Sequence, residues 1–461
     1  MGLQNSSDEK YFKYFVRLQH LAYQLDGDFL SSHHSSLRYI QSQNPLKYLK
    51  YCPKVRSLKV LDDSGEGIFT KTPIELTRSL KLLESFTFLT VQWNENQTDL
   101  PFGLFNNLTS VSLCFGDLET EKLLTQIMRA LSTLSNLQEI GLKIRRNVNS
   151  AFITACKEIA QRRLLKKINL HIYRELSSNL QKSLRAFKDC KLTSFSLRTF
   201  IGKTQALKSI FEFLQCMGHL EALELQISKF RLFSENDPIK EICQQMSKFQ
   251  ALRSLKLNFF TWAEVPKSTR APDFIPFLSD LFTKPVKIEI LRLECNQLDP
   301  SEALQNIISV LKNSENFLTH LTLNFGHSPC TQKAYKSVLK LMQSLSNIQV
   351  LKIPSLDFDG FSSKTLNSIV KAVYAFKYLR GFGFAAFKGD IAKQTLCRVV
   401  ETISSKIGLR GFSLGVSYNF GNQGAIINMK GIIEKNPYFE SLEFGNGMNN
   451  MNFICKIFKW E

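Results

Sequence analysis

The chain has 461 residues, 44% hydrophobic and 21% charged, with a formal net charge of +19. This is globular composition and excludes a disordered or collagen-like chain, while the lack of any run of about 18 apolar residues excludes an ordinary membrane-spanning helix. The charge is uneven: residues 101–200 carry 16 Lys+Arg against 7 Asp+Glu (+9), residues 301–400 carry 12 against 5 (+7), and the other segments are each near +1.

A positive band attracts acidic protein surfaces, nucleic acid or anionic lipid; a plain solvated surface has the same composition. The ten Cys are scattered without a C-x-x-C pair, so zinc-finger spacing is absent. Cys156, Cys216, Cys243 and Cys397 fall among apolar residues on helical patterns and are expected as buried thiols. Together with the lack of a secretory signal, they place the protein in a reducing intracellular compartment as an expectation.

Along the chain, the start "MGLQNS" matches the N-myristoylation pattern at Gly2 and Ser6, and one acyl chain gives only marginal membrane binding. Residues 1–54 include "EKYFKYFVRLQHLAYQL" and "PLKYLKYCPKV", which are expected as helices capping the rest of the chain. From residue 55 the pattern L-x-x-L-x-L, with any large apolar residue at the L positions, recurs fourteen times. It starts at Val55, Leu83, Leu108, Leu137, Leu165, Leu192, Leu220, Leu252, Ile288, Leu318, Ile348, Leu379, Leu409 and Phe439, at steps of 25 to 36 residues. Near-constant spacing of one pattern marks a repeat array.

The alternating end of each copy is expected as a short strand with two inward apolar residues. Between copies, "TEKLLTQIMRALSTLSN", "CTQKAYKSVLKLMQSLSN" and "IAKQTLCRVVETISSKIG" repeat apolar residues at three and four, as helices do. At one of these, Asp299 suits a helix cap, Pro300 its first position and Glu302 a capping box. The long steps, 32 and 36 residues, place insertions at "SKFRLFSENDP" and "FFTWAEVPKSTRAP". The final "MNFICKIFKWE" is apolar enough to cap the other end.

Each unit is thus strand, turn, helix and return, and none buries its helix face alone. Stacking makes a parallel sheet beside a helix layer. Strands sit about 4.8 Å apart and helices need about 10 Å, so the stack curves with strands on its inner rim. The pattern resembles the leucine-rich-repeat proteins, and the step with a full helix per unit is similar to their ribonuclease-inhibitor-like subclass. The resemblance implies an α/β solenoid of about fourteen repeats over residues 55–461, parallel β-sheet concave and α-helices convex, and a use in binding. Only the copy at Ile288 carries the family's full pattern with Asn296, so a continuous asparagine ladder is not expected. The leucine-proline start and tryptophan of an F-box are missing from residues 1–54.

Alternation within the strands also names the exposed residues. These are Lys143 and Arg145; Lys167, His171 and Tyr173; Arg198 and Phe200; Lys256 and Phe260; Arg292; and Lys352. The mix of basic and aromatic side chains suits an acidic protein tail or a phosphate backbone; it is also what a solvated sheet face contains. Trp262 lies in the second insertion and is either a partner anchor or a ring tucked onto the solenoid. The later strands carry Gly381, Gly383, Gly411, Gly415 and Gly445. They either admit another backbone closely or relieve crowding from neighbouring Phe residues.

The sequence holds no phosphate-binding loop, zinc-protease helix or nucleophile elbow, and its seven His form no ligand pattern. No cofactor, metal site, small-molecule substrate or enzymatic activity is therefore expected. The expected function is an intracellular interaction scaffold for a protein with an acidic surface. The charge further suggests a fixed place in a cytoskeletal or axonemal assembly bearing acidic tubulin tails. The alternative is RNA or ribonucleoprotein binding through the basic-aromatic band.

Overall fold

The computed structural model describes residues 20–24, 57–62, 83–90, 107–114, 121–144, 150–161, 164–175, 178–201, 204–229, 246, 248–261, 275–278, 287–294, 300–311, 317–325, 329–330, 332–345, 347–358, 363–386, 398–399, 401–403, 405–406, 408–416, 441–445 and 454–458. The chain divides into two compact units, Met1–Leu220 and Glu221–Glu461.

In the first unit the strands are β1 (His20–Gln24), β2 (Ser57–Asp62), β3 (Ser85–Thr90), β4 (Ser110–Cys114), β5 (Glu139–Ile144), β6 (Lys167–Glu175) and β7 (Ser194–Ile201). Each pairs in parallel with the next. Helices α1 (Glu121–Ser132), α2 (Ser150–Gln161), α3 (Ser178–Ala186) and α4 (Thr204–Gln215) alternate with the later strands. The α1 residues Leu124, Ile127, Met128 and Leu131 are all buried, the spacing of one helix face.

The second unit contains β8 (Ala222–Lys229), β9 (Ser254–Thr261), β10 (Ile290–Glu294), β11 (His320–Asn324), the two-residue β12 (Pro329–Cys330), β13 (Val350–Phe358), β14 (Gly381–Ala386), β15 (Gly411–Val416), β16 (Ser441–Gly445) and β17 (Ile454–Phe458). From β8 to β16 the main ladder is parallel, with β13 beside β11; β17 closes the β16 edge antiparallel. Its helices are α5 (Pro300–Leu311), α6 (Gln332–Ser344) and α7 (Ser363–Ala375). Pro300 opens α5, where its missing N–H is no loss.

Register explains the core. Leu113, Leu142, Leu170 and Leu197 stand side by side across β4 to β7, and none is more than 5% exposed. Leu225, Leu257, Leu293 and Leu323 do the same across β8 to β11. The first L of each motif is buried as well, at Leu108, Leu165, Leu252 and Leu318 for example. In the first unit, Phe195 on β7 meets Phe213 on α4 edge to face, with ring centres 5.1 Å apart.

A second regularity lies in the backbone. At many of the described strand entries the carbonyl after the first L accepts two amides from the next copy. Glu84 O accepts Thr109 N and Ser110 N at 2.8 and 3.0 Å, and Glu289 O accepts Thr319 N and His320 N at 2.9 and 3.0 Å. Arg380 O accepts Arg410 N and Gly411 N in the same way. Buried polar backbone is thereby satisfied between copies.

Three expectations change. Residues 20–24, expected within a helix, form β1; Leu21 and Tyr23 fall in register with Leu58 and Val60. Gly2 and most of residues 1–54 lie outside the described residues. The strands run further than two inward residues: Ile144, Ile172 and Ile227 supply a third buried position, where β-branched side chains suit the pleated surface. Cys216, expected buried, is exposed at the end of α4, whereas Cys156 and Cys190 are buried; Cys243 and Cys397 lie outside the described residues.

Candidate functional site

The strand face opposite the core is built from the residues between the buried ones. On β5, Ile140, Leu142 and Ile144 are buried, so Glu139, Gly141 and Lys143 lie on the other face. Parallel register then aligns them. Glu139 pairs with Lys167 and Lys167 with Ser194; Gly141 pairs with Asn169 and Asn169 with Ser196. Lys143 pairs with His171, and His171 with Arg198.

The third row is therefore Lys143–His171–Arg198 on three adjacent strands, about 4.8 Å apart. The Tyr173 ring stacks on His171 with centres 4.0 Å apart and planes at 25°. Lys143 is half-buried and Arg198 exposed, and among the described residues neither has a carboxylate partner. The middle row is shallow. A Cβ on Gly141 would stand 2.7 Å from Ser112 Oγ, so glycine is what lets that hydroxyl lean across.

The first row has a different character. Lys167 forms an ion pair with Glu139, and Ser110 Oγ donates to the same carboxylate at 3.3 Å. Much of the Lys167 charge is thus answered within the sheet. Phe200 is half-buried further along β7, opposite Glu175, beyond a register irregularity in β6.

In the second unit Lys256 sits beside Arg292 in register, with Thr322 and then Lys352 following. Lys256 Nζ is 2.5 Å from Glu224 Oε1, while Arg292 and Lys352 are exposed. Arg253 pairs with Glu289 at 2.6 Å. Beside these, Asn258 is 3% exposed and donates to Glu294 through Nδ2. Phe260 belongs to β9 by its backbone, but its side chain lies outside the described residues, as do Arg145 and Trp262.

Several contributors were missed from sequence: the carboxylates Glu139, Glu224 and Glu289, and His320. Aligning the motif copies would have put Glu139 beside Lys167 and Glu224 beside Lys256. His320 follows Thr319, whose Oγ1 lies 2.8 Å from His320 Nδ1. Burial lowers the His320 pKa from its ordinary 6.5, Arg292 lowers it further and Glu289 opposes them.

On the glycine-rich strands, Gly381 aligns with Gly411 and Ser441, and Gly383 with Ser413 and Glu443. Beneath them Phe382 and Phe412 are both 3% exposed and stack with centres 6.0 Å apart. Bulky rings fill the core side there, while a Cβ on Gly381 would first meet Val350, at 3.4 Å.

No group of His, Cys, Asp or Glu able to hold a metal is found among the described residues, and no helix among them is long and apolar enough to cross a membrane. A void of about 10 Å³ lined by Met128, Ile140, Phe152 and Cys156 lies in the core of the first unit, room for no more than a water. Burial drives the Cys156 thiol well above its usual pKa against a lowering hydrogen bond with Ser183, so it stays protonated and a poor nucleophile.

No protein-family model matches the chain, and no curated protein matches it. Among solved structures, a leucine-rich-repeat protein of Leptospira interrogans is similar in 88% of this chain and 93% of its own, at 14% identity and a TM-score of 0.31. In this chain's own geometry, consecutive strand–helix copies stack in register, the form of a leucine-rich-repeat-like array within each unit.

Proposed function

We propose that the protein is a non-catalytic interaction scaffold of the ribonuclease-inhibitor-like kind, taking an acidic segment of a protein partner on its strand face. The observation that carries this is the Lys143–His171–Arg198 row, with Tyr173 stacked on His171. Two cations that have no carboxylate partner among the described residues flank an aromatic pair. An extended acidic chain presents carboxylates to cations at such positions, and the rings cover its apolar stems. Acidic tails of the tubulin type have this chemistry, which fits a place in a cytoskeletal or axonemal assembly.

The stacked His171–Tyr173 pair also favours one second reading, single-stranded RNA, whose bases stack on such rings. Fluorescence anisotropy with labelled oligoglutamate and with poly(U) separates the two. The scaffold reading predicts oligoglutamate binding that Lys143→Glu with Arg198→Glu weakens about tenfold or more. Binding of poly(U) alone, with a steep log-linear salt dependence and loss in Lys167→Glu with Arg198→Glu, would replace it with the RNA reading.

A further inference from the structure

The helix side of the second unit carries a surface that the strand-face reading does not use. Helices α5 and α6 pack closely, whereas α6 and α7 touch sparsely. Between them lies a groove of about 610 Å³. Its lining is mostly apolar, with Leu339, Met342 and Leu345 on the α6 side and Ala372, Ala375 and Phe376 on the α7 side, beside the polar Gln343 and Ser368. Lys371 and Lys377 stand on its rim. Beyond Lys371 the depression continues to Tyr374, Glu401 and Thr402.

The gap falls in a repeat whose strand is irregular. Pairing of β13 with β14 shifts between Ile353 and Leu356, around Pro354. Proline has no N–H for the ladder and breaks regular pairing. A bulge re-aims the strand residues after it.

Along α6 and α7 the charge has one sign, with Glu401 the acid that lines the continuation beyond Lys371. The sequences of α6 (QKAYKSVLKLMQS) and α7 (SKTLNSIVKAVYA) contain no Asp or Glu. Lys333, Lys336, Lys340, Lys364, Lys371 and Lys377 are all exposed or half-buried, and among the described residues none has a carboxylate partner. Large rings are also left out to solvent: Tyr374 is 51% and Tyr378 49% exposed, with Lys377 Nζ 5.2 Å from the Tyr378 ring centre.

We infer that the α6–α7 groove docks an amphipathic helical segment of a partner protein, with an apolar stripe seated on the floor and acidic flanks meeting the lysines. Helix-in-groove recognition uses apolar anchors at helical spacing inside a recessed apolar channel. Acidic flanks are the charge complement of six lysines and speed encounter. A phosphate backbone offers nothing apolar for the floor, and a flat bilayer surface does not enter a groove.

The test uses the full chain and fluorescence anisotropy. The probe is a labelled peptide of about 20 residues with Leu at i, i+3, i+4 and i+7 and Glu on its remaining faces. Comparison probes are the same peptide with Lys for Glu, phosphatidylserine vesicles and poly(U). The expected result is saturable binding of the Glu peptide and not the Lys peptide. Lys371→Glu with Lys377→Glu weakens it about tenfold or more, as does Ala375→Trp, which fills the groove without changing charge. Ala375 is exposed, so the fold tolerates the larger ring. Arg198→Glu, which weakens the strand-face site, leaves the Ala375→Trp-sensitive component of this binding unchanged, so the two proposals fail separately. The inference is overturned if the Glu peptide does not bind, or if Ala375→Trp leaves its affinity unaltered. It is also overturned if vesicles or poly(U) bind instead with the same sensitivity to these variants.

Discussion

Lys406 is only 7% exposed and donates to the carbonyls of Tyr374 and Phe376, at 3.0 and 2.5 Å. These carbonyls lie at the end of α7, where a helix leaves oxygens without partners and favours a cation. Lys406→Met strands both, and the expected loss is about 1–3 kcal/mol in urea unfolding. His320 gives a pH signature. Its folded pKa is depressed, chiefly by burial and then by Arg292. The folded chain then binds fewer protons than the unfolded one around that pKa, so His320 contributes stability above 6.5 that is lost as pH falls through the folded value. Urea midpoints across this range should fall less in His320→Gln than in the parent. Cysteine reactivity divides by burial: iodoacetamide with mass mapping should label Cys216 and spare Cys156 and Cys190 in the folded protein. The sequence placed Cys156 correctly and Cys216 wrongly, because a thiol at a helix end is buried or exposed according to how far the helix runs.

At the scale of the element, one strand differs from another by what its neighbour copy presents. Phe195 fills space against Phe213 on the following helix, and Phe195→Ala should cost about 3–5 kcal/mol, read by thermal or urea unfolding. The repeat was legible because L-x-x-L-x-L encodes both the buried rows and their period: Leu113, Leu170, Leu257 and Leu323 are interior as the pattern requires. Two things were not legible. Leu21 and Tyr23 alternate over too few residues to tell a strand from a helix by period, and β1 is fixed by pairing with β2. The charge state of the strand face depends on residues about 28 apart in sequence that become neighbours only in register, as Glu139 and Lys167 do. Counting Lys and Arg along a single strand overstates its free charge.

At the scale of the molecule, the excess of +19 is organised rather than spread. In the first unit it reaches the open strand face at Lys143 and Arg198, while in the second it lines the α6–α7 groove. Stacked copies make long faces from short elements, so cations from separate copies meet in one row without any of them being close in sequence. Lysine footprinting by acylation and mass spectrometry, with and without saturating oligoglutamate, tests this most directly. The expected result is that Lys143 is protected several-fold, while exposed Lys157 on α2 of the same unit reacts at an unchanged rate. Equal reactivity of Lys143 in the free and saturated protein would contradict it.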